Sequence, residues 1–429
     1  EEIRGDLYEF YLHDLQRSES YAKRRYIING LGFLAKGFFW KKKANTSTPF
    51  IMFKSYFKMA CRSLLAYKST SLINILGLVV GIASAIVILT IVHYEYSFDK
   101  FHTNNENIYR IVRVSGDDKS EFRTGISYTV PAALREEIPA LKDIVTTFYV
   151  GDANIDIPSV DGTEVKKYNE GWGTVMVEPS FFSIFDFKDS GFKWIAGNPD
   201  NALVEPLSVV ITKSIAQKYF GNENPLGRIV RVRWQTEFDF KVTGVIEDLP
   251  ANSDFPFTIL LSYSSMKATL GEERLRDWFS VSDNHTAYVV VPPGYSKEEM
   301  EEQIAHVHAA HTPEELHKSR HYLLQHLADV HYDTRFGNYN GRTTSKESLW
   351  ALGIIAAFLL LTASINYINL ATAQSNMRAK EIGLRKIMGG NQKSLMFQFM
   401  AEMLLMIQLS VRLLVRNTVT MCSSILTHS

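Results

Sequence analysis

Two long apolar runs, neither holding a single charge, interrupt this chain of 429 residues. Residues 72–92 read LINILGLVVGIASAIVILTIV, 21 residues that as a helix span about 31 Å, the thickness of a bilayer's hydrocarbon core. Residues 349–373 read LWALGIIAAFLLLTASINYINLATA, 25 residues, again uncharged and free of proline. Core helices of soluble proteins rarely stay uncharged for so long, because one face meets water. The first run also begins too far into the chain, with no small-residue cleavage pattern behind it, for a signal peptide. Both runs are expected to cross a membrane.

Charge orients the two spans. Lys and Arg total 46, as do Asp and Glu, so the net charge is zero, but the balance is a cancellation. Residues 95–347 hold 26 basic and 38 acidic side chains, and the rest of the chain holds 20 basic and 8 acidic. Before the first run stand Lys41, Lys42, Lys43, Lys54, Lys58, Arg62 and Lys68 with no acid between them. After the second come Arg378, Lys380, Arg385, Lys386 and Lys393 against Glu381 alone. Basic residues flanking a span stay in the cytoplasm, which places both ends inside and residues 95–348 outside. Zero net charge argues against a generally basic nucleic-acid binder. Two cysteines, Cys61 and Cys422, exclude a disulfide scaffold.

The expected fold class is α+β: two complete transmembrane helices, with a third begun, flank a mixed α/β extracytoplasmic domain of two subdomains. Residues 1–48 read as a helical cytoplasmic prefix and 49–71 as an amphipathic helix on the membrane surface. The first span covers 72–94, the external domain 95–348 and the second span 349–373. Residues 374–394 form a basic cytoplasmic segment, 395–409 begin a third helix, and 410–429 are an atypical tail carrying Arg412 and Arg416. That tail, and a start at Glu1 rather than Met, give the expectation of a truncated chain.

Within the external domain, alternation predicts strands over 109–114, 207–212, 229–234, 238–246 and 287–291. A helix opens at Val130-Pro131, and another over 213–220 stops at Gly221. Ser296-x-x-Glu299 and Thr312-x-x-Glu315 have the form of capping boxes. In the first span Gly77 and Gly81 are four apart, the spacing that lets helix backbones approach closely, although glycine is also simply common in membrane helices. Asn366 and Asn369 in the second span are costly against lipid and are expected to face protein as hydrogen-bonding groups.

No phosphate loop, G-x-S-x-G, H-E-x-x-H or C-x-x-C occurs, so no catalytic residue, metal ligand or cofactor-binding residue is assigned. Residues 30–35 (GLGFLA) match G-x-G-x-x-A in form only, with no strand before them. Seven of the twelve histidines crowd into residues 306–331: His306, His308, His311, His317, His321, His326 and His331. They are read as a solvated surface in preference to a zinc site or a pH switch. Residues 378–390 (RAKEIGLRKIMGG) could equally be an amphipathic helix inserting into a cytoplasmic partner or a plain basic anchor.

Residues 378–389 resemble the cytoplasmic signature that follows the second membrane helix in FtsX-like and MacB-like ABC-transporter permeases. Residues 98–112 (FDKFHTNNENIYRIV), 209–227 and 242–254 (VTGVIEDLPANSD) resemble the MacB-type extracytoplasmic domain, and residues 1–40 resemble a helical permease prefix. The resemblance implies a non-catalytic permease subunit of a bacterial inner membrane. It pairs with a second permease subunit, alike or different, and with a separate ABC ATPase subunit, and uses no cofactor of its own. It also implies that Arg378, Glu381, Ile382, Gly383, Leu384, Arg385, Lys386, Met388 and Gly389 contact that ATPase, with export or release of a substrate outside the membrane. The rivals are a membrane-anchored extracytoplasmic sensor or binding protein, and an inactive fragment.

Overall fold

The computed structural model describes residues 68–116, 120–159, 161, 163–186, 193–339 and 341–387. The expected prefix, most of the surface helix, Met388, Gly389, the third helix and the tail lie outside the described residues. The chain divides into two compact units. One holds the described helix segments up to Ser84 and from Leu359, and the other runs from Ala85 to Phe358.

The two apolar runs form helices α1 (Lys68–Glu95) and α6 (Lys346–Ile387), of 28 and 42 residues. Each contains a stretch long and apolar enough to span a bilayer, Leu76–Glu95 and Lys346–Asn369. α6 does not end with its apolar stretch. The basic segment expected from residue 374 continues the same helix to Ile387, because its Ala, Lys, Glu, Leu and Arg residues are strong helix formers and nothing between breaks it.

Between them lies a sheet of 13 strands. In chain order they are β1 (Ile108–Ser115), β2 (Glu121–Arg123), β4 (Ile144–Tyr149), β5 (Ala153–Pro158), β6 (Val165–Glu170), β7 (Thr174–Val177) and β8 (Trp194–Ala196). There follow β9 (Ser208–Thr212), β10 (Ile229–Trp234), β11 (Thr236–Ile246), β12 (Ile259–Ser262), β14 (His285–Val290) and β15 (Arg320–His326). The short strands β3 (Ile126–Ser127) and β13 (Val281–Ser282) pair apart from it. The order is β15-β1-β14-β4-β7-β12-β9-β11-β10-β5-β6, with β2 on β1 and β8 on β11. Among the described residues, only the β9–β11 and β7–β12 pairs are parallel. The two expected subdomains are thus two ends of one sheet.

Each end buries its own helices. At the β15 end, α2 (Val130–Glu137) and α4 (Lys297–His311) set Leu134, Met300, Ile304 and Val307 against Ile111, Val289 and Leu324. At the β6 end, α3 (Lys213–Phe220) sets Ile215, Tyr219 and Phe220 against Val209, Val230 and Val242. A third cluster, built on Phe181, Phe185, Phe255 and Phe257, packs on the middle strands. Burying side chains of this size is worth about 1.5–3 kcal/mol each, which makes these clusters the main source of cohesion.

The Ser296 capping box forms as expected, the serine side chain accepting from Glu299 N and the glutamate reaching back to Ser296 N. The second one does not. Thr312 Oγ1 turns back to donate to His308 O, and α5 (Glu314–Ser319) starts from Pro313 without a side-chain cap. A hydroxyl one turn past a helix finds the last free carbonyls first, and that contact competes with capping.

A membrane-proximal polar joint as the candidate functional site

The last residue of α1 does not face solvent. Glu95 closes the helix 2% exposed, and the chain then makes a tight turn through Asp99, whose φ of 49° lies in the left-handed region. An aspartate tolerates that conformation when its side chain bonds to nearby backbone. Here the Asp99 carboxylate accepts from Ser253 Oγ at 2.6 Å and from Asp254 N at 2.9 Å. Around it Asn252 Nδ2 donates to Ser97 Oγ at 2.9 Å, and Tyr94 Oη donates to Ala251 O at 2.7 Å. The turn after α1 and the turn after β11 are therefore one hydrogen-bonded unit.

A third segment, the connector from β15 to α6, closes over them. His331 is 2% exposed and reaches both neighbours: Nε2 lies 2.7 Å from Glu95 Oε2 and Nδ1 lies 3.1 Å from Asp254 Oδ1. Phe98 stacks on its ring with centroids 3.7 Å apart. Tyr332 Oη donates to Glu95 O at 2.7 Å, and burial pushes this phenol up to about 12, so it remains a donor. Arg342 pairs with the other Glu95 oxygen, while Asn338 Nδ2 donates to Asp254 Oδ1 at 2.7 Å. Further along, Tyr339 bonds Thr147 and Thr286 beneath the sheet, and the buried Arg110 donates to Gly337 O at 2.9 Å.

Glu95, His331 and Asp254 are sealed from solvent, and the nearby hydroxyls of Ser253 and Tyr332 donate to the Asp99 carboxylate and to Glu95 O. Among the described residues no three His, Cys, Asp or Glu side chains converge in a metal-binding set. A groove of about 620 Å³ opens nearby beside Phe122, Leu323, Phe336 and the first turn of α6. Its cations are engaged within the chain, Arg335 with Asp333 and Lys346 with Asp329.

The predicted site residues are placed as follows. Gly77 and Gly81 lie on the side of α1 that faces α6: a Cβ on Gly77 would stand 2.7 Å from Asn366 Nδ2, and one on Gly81 would stand 2.6 Å from Ala363 Cβ. Leu78 and Ala363 are buried beside them. Asn369, by contrast, is exposed. Arg378, Glu381, Ile382, Gly383, Leu384, Arg385 and Lys386 fall on the last three turns of α6, and a Cβ on Gly383 would meet open space.

The histidine-rich stretch is not a solvated surface throughout. His308 and His331 are buried, because the same residues that supply polar spacing also supply the inward faces of α4 and of the connector. Burial holds His308 down to about 4. His311 stays at the surface, stacked on Trp278 and paired with Glu137. His317 falls on α5, which ends at Ser319, and His321 on β15. The joint itself was missed. Its parts are far apart in the chain, and the available signal was the resemblance carried by residues 98–112 and 242–254, which end in its two turns.

The described chain is a mixed α/β sheet domain flanked by two helices long and apolar enough to cross a membrane. The family model described as MacB-like periplasmic core domain matches residues 71–307, and the chain belongs to that family. A macrolide export ATP-binding/permease protein MacB from Chlorobium luteolum is 25% identical over 367 residues, covering 82% of this chain and 50% of the relative. Its counterpart from Marinobacter nauticus is 25% identical over 360 residues, covering 80% and 49%. The chain thus spans about half the length of the curated relatives it matches. Among solved structures, the periplasmic region of MacB from Actinobacillus actinomycetemcomitans covers 52% of this chain and 90% of its own, with 15% identity and a TM-score of 0.35.

Proposed function

We propose that this chain is the permease part of an ABC-type transporter, coupling ATP hydrolysis on a separate ATPase subunit to movement of its extracytoplasmic domain. In this reading the amino terminus and the end of α6 are cytoplasmic, and the substrate is exported or released on the outer side. The observation that carries it is the continuity of α6. The helix leaves the sheet domain at Lys346, and its apolar stretch ends at Asn369. It then runs on to Ile387, about 27 Å further, as a basic helix. In this reading the continuous helix carries displacement at one end to the other.

Gly383 supports the assignment of the contact. Glycine inside a helix costs about 1 kcal/mol relative to alanine, and no packing within the described chain requires it there. A partner backbone approaching α6 closely would require it. In the sequence, Arg378, Glu381, Ile382 and Arg385 recur at the three- and four-residue spacing of one helix face. Gly77, Gly81 and Asn366 form the seam between the two membrane helices in the same reading, and a second permease subunit completes the pair.

The test uses the assembled transporter. Glu381→Arg and Gly383→Trp are each expected to abolish co-purification of the ATPase or the coupling of its turnover to transport, while the permease remains folded in the membrane. Full association and activity in both variants would remove the coupling role.

A further inference from the structure

The two faces of the sheet are used differently. Successive side chains of a strand point to opposite faces. One face carries Ile111, Ile144, Val289 and Leu324, which α2 and α4 cover, and further along β4 Phe148, in the cluster that α3 covers. Val145, Val210, Leu260 and Tyr288 point the other way, into the cluster that also takes Phe101 from the turn after α1 and Leu327, Val330 and Tyr339 from the connector. The joint therefore lies on this second face. The apolar stretches of the two long helices stop there: one ends at Glu95, which touches His331, and the other begins at Lys346, which pairs with Asp329.

The same face leaves aromatic and apolar side chains uncovered on both sides of the joint. On one side Trp172 is 61% exposed. Its ring lies 6.2 Å from that of Tyr149, and a Cβ on Gly341 would stand 3.6 Å from its Cη2, one residue before the Arg342 that pairs with Glu95. On the other side the groove beside the first turn of α6 presents Leu323 and the edge-to-face pair Phe122 and Phe336, with the Arg335 guanidinium over both rings. All these residues belong to the one compact unit Ala85–Phe358. The exposed cations Arg335, Arg342 and Lys346 each have a carboxylate within the chain, Asp333, Glu95 and Asp329, so these pairs add no net charge to the surface.

We infer that this face is a lipid-docking surface. The sheet domain lies on the phospholipid headgroups of the leaflet from which α1 and α6 emerge, with Trp172 seated at one flank and Arg335, Phe122 and Phe336 at the other. An indole has an apolar body and one N–H donor, which suits the boundary between acyl chains and headgroups. Paired charges of both signs match a zwitterionic headgroup, which carries both signs itself. The bilayer is also the partner already in place, because the surface is continuous with the helices that enter it. The inference rests on the two apolar stretches crossing the membrane and not on the coupling reading.

The test uses the full chain with Cys61→Ser and Cys422→Ser, carrying one new cysteine labelled with an environment-sensitive fluorophore. It is placed in vesicles of phosphatidylcholine alone, part of which bears a nitroxide quencher on the headgroup. Trp350→Cys, at the start of the apolar stretch of α6, reports insertion. Trp172→Cys and Arg335→Cys report the two flanks, and Phe279→Cys, next to the Trp278 that packs on the opposite face, reports water. All four side chains are largely exposed, so replacing them leaves the buried clusters intact. The labels at 172 and 335 are expected to be quenched several-fold more strongly than the label at 279. Quenching at 350 with either flank no stronger than 279 would overturn the docking surface and leave the membrane spans standing. No quenching at 350 would overturn the spans and the docking surface together.

Discussion

Alanine at Gly81 and at Gly77 should have different consequences, although the two glycines stand one turn apart on the same helix. A Cβ on Gly81 would lie 2.6 Å from Ala363 Cβ and 3.4 Å from Leu359 O. Both obstacles are fixed to the backbone of α6, and ordinary carbon contacts begin near 3.5 Å, so the helices must separate by roughly 1 Å. A gap of that size forfeits about a quarter to a half of each contact around Leu78, Ile82, Ala363 and Tyr367. Overpacking of this kind costs about 1–3 kcal/mol, against which the better helix propensity of alanine returns less than about 1 kcal/mol. At Gly77 the obstacle is Asn366 Nδ2, the far end of a side chain that can rotate away. Gly81→Ala is therefore expected to lower stability by about 1–2 kcal/mol, and Gly77→Ala by less than about 0.5 kcal/mol. Thermal or SDS-induced unfolding of the detergent-solubilised chain reads the difference. Equal losses, or a larger loss at Gly77, would show that the seam between α1 and α6 is not set by backbone approach at Gly81.

Two further outcomes follow from the sheet domain. Burial holds His285 down to about 4, and its Nε2 meets Tyr263 Oη at 2.8 Å, so it folds as a neutral ring. Its folded value lies below the unfolded 6.5, so the stability it contributes is complete above that value and is lost as pH falls from there towards 4. The loss from this residue approaches about 3 kcal/mol, and His308 adds to it in the same direction. Urea unfolding at neutral pH and near pH 4.5 should show that loss reduced in His285→Gln. Ser296→Ala removes one half of the capping box of α4 and is expected to cost about 1 kcal/mol, read by the same unfolding curves.

Elements governed by local pattern were legible in the sequence. The helix over 213–220 and the paired strands β10 and β11 announce themselves by periodicity and by the turn residues around them. The two apolar helices follow from bilayer thickness alone. What stayed hidden depends on partners distant in the chain. Strands β4, β7 and β12 are short and buried on both faces, so they show no alternation. The continuation of α6 past residue 374 was concealed because a change of composition resembles a boundary even where no residue breaks the helix. The joint is the extreme case. Glu95, Asp254 and His331 are three ordinary polar residues until the fold closes 236 positions of chain between the first and the last.

The polar character of the joint follows from where it stands. A helix leaving a bilayer gains nothing from apolar contact at its end, since lipid tails offer the same surface as a protein face. Glu95 is different. Lipid cannot pair it and water is shut out, so its oxygens need partners within the chain. The carboxylate is therefore bound to one position, beside His331 and Arg342, and the helix that carries it is bound with it. A purely hydrophobic contact of equal area would be as stable, but it would tolerate sliding and rotation that this geometry does not. If α1 is to convey a small displacement to the sheet, its outer end has to be held in register as well as in contact, and directional hydrogen bonds to a buried carboxylate supply that constraint.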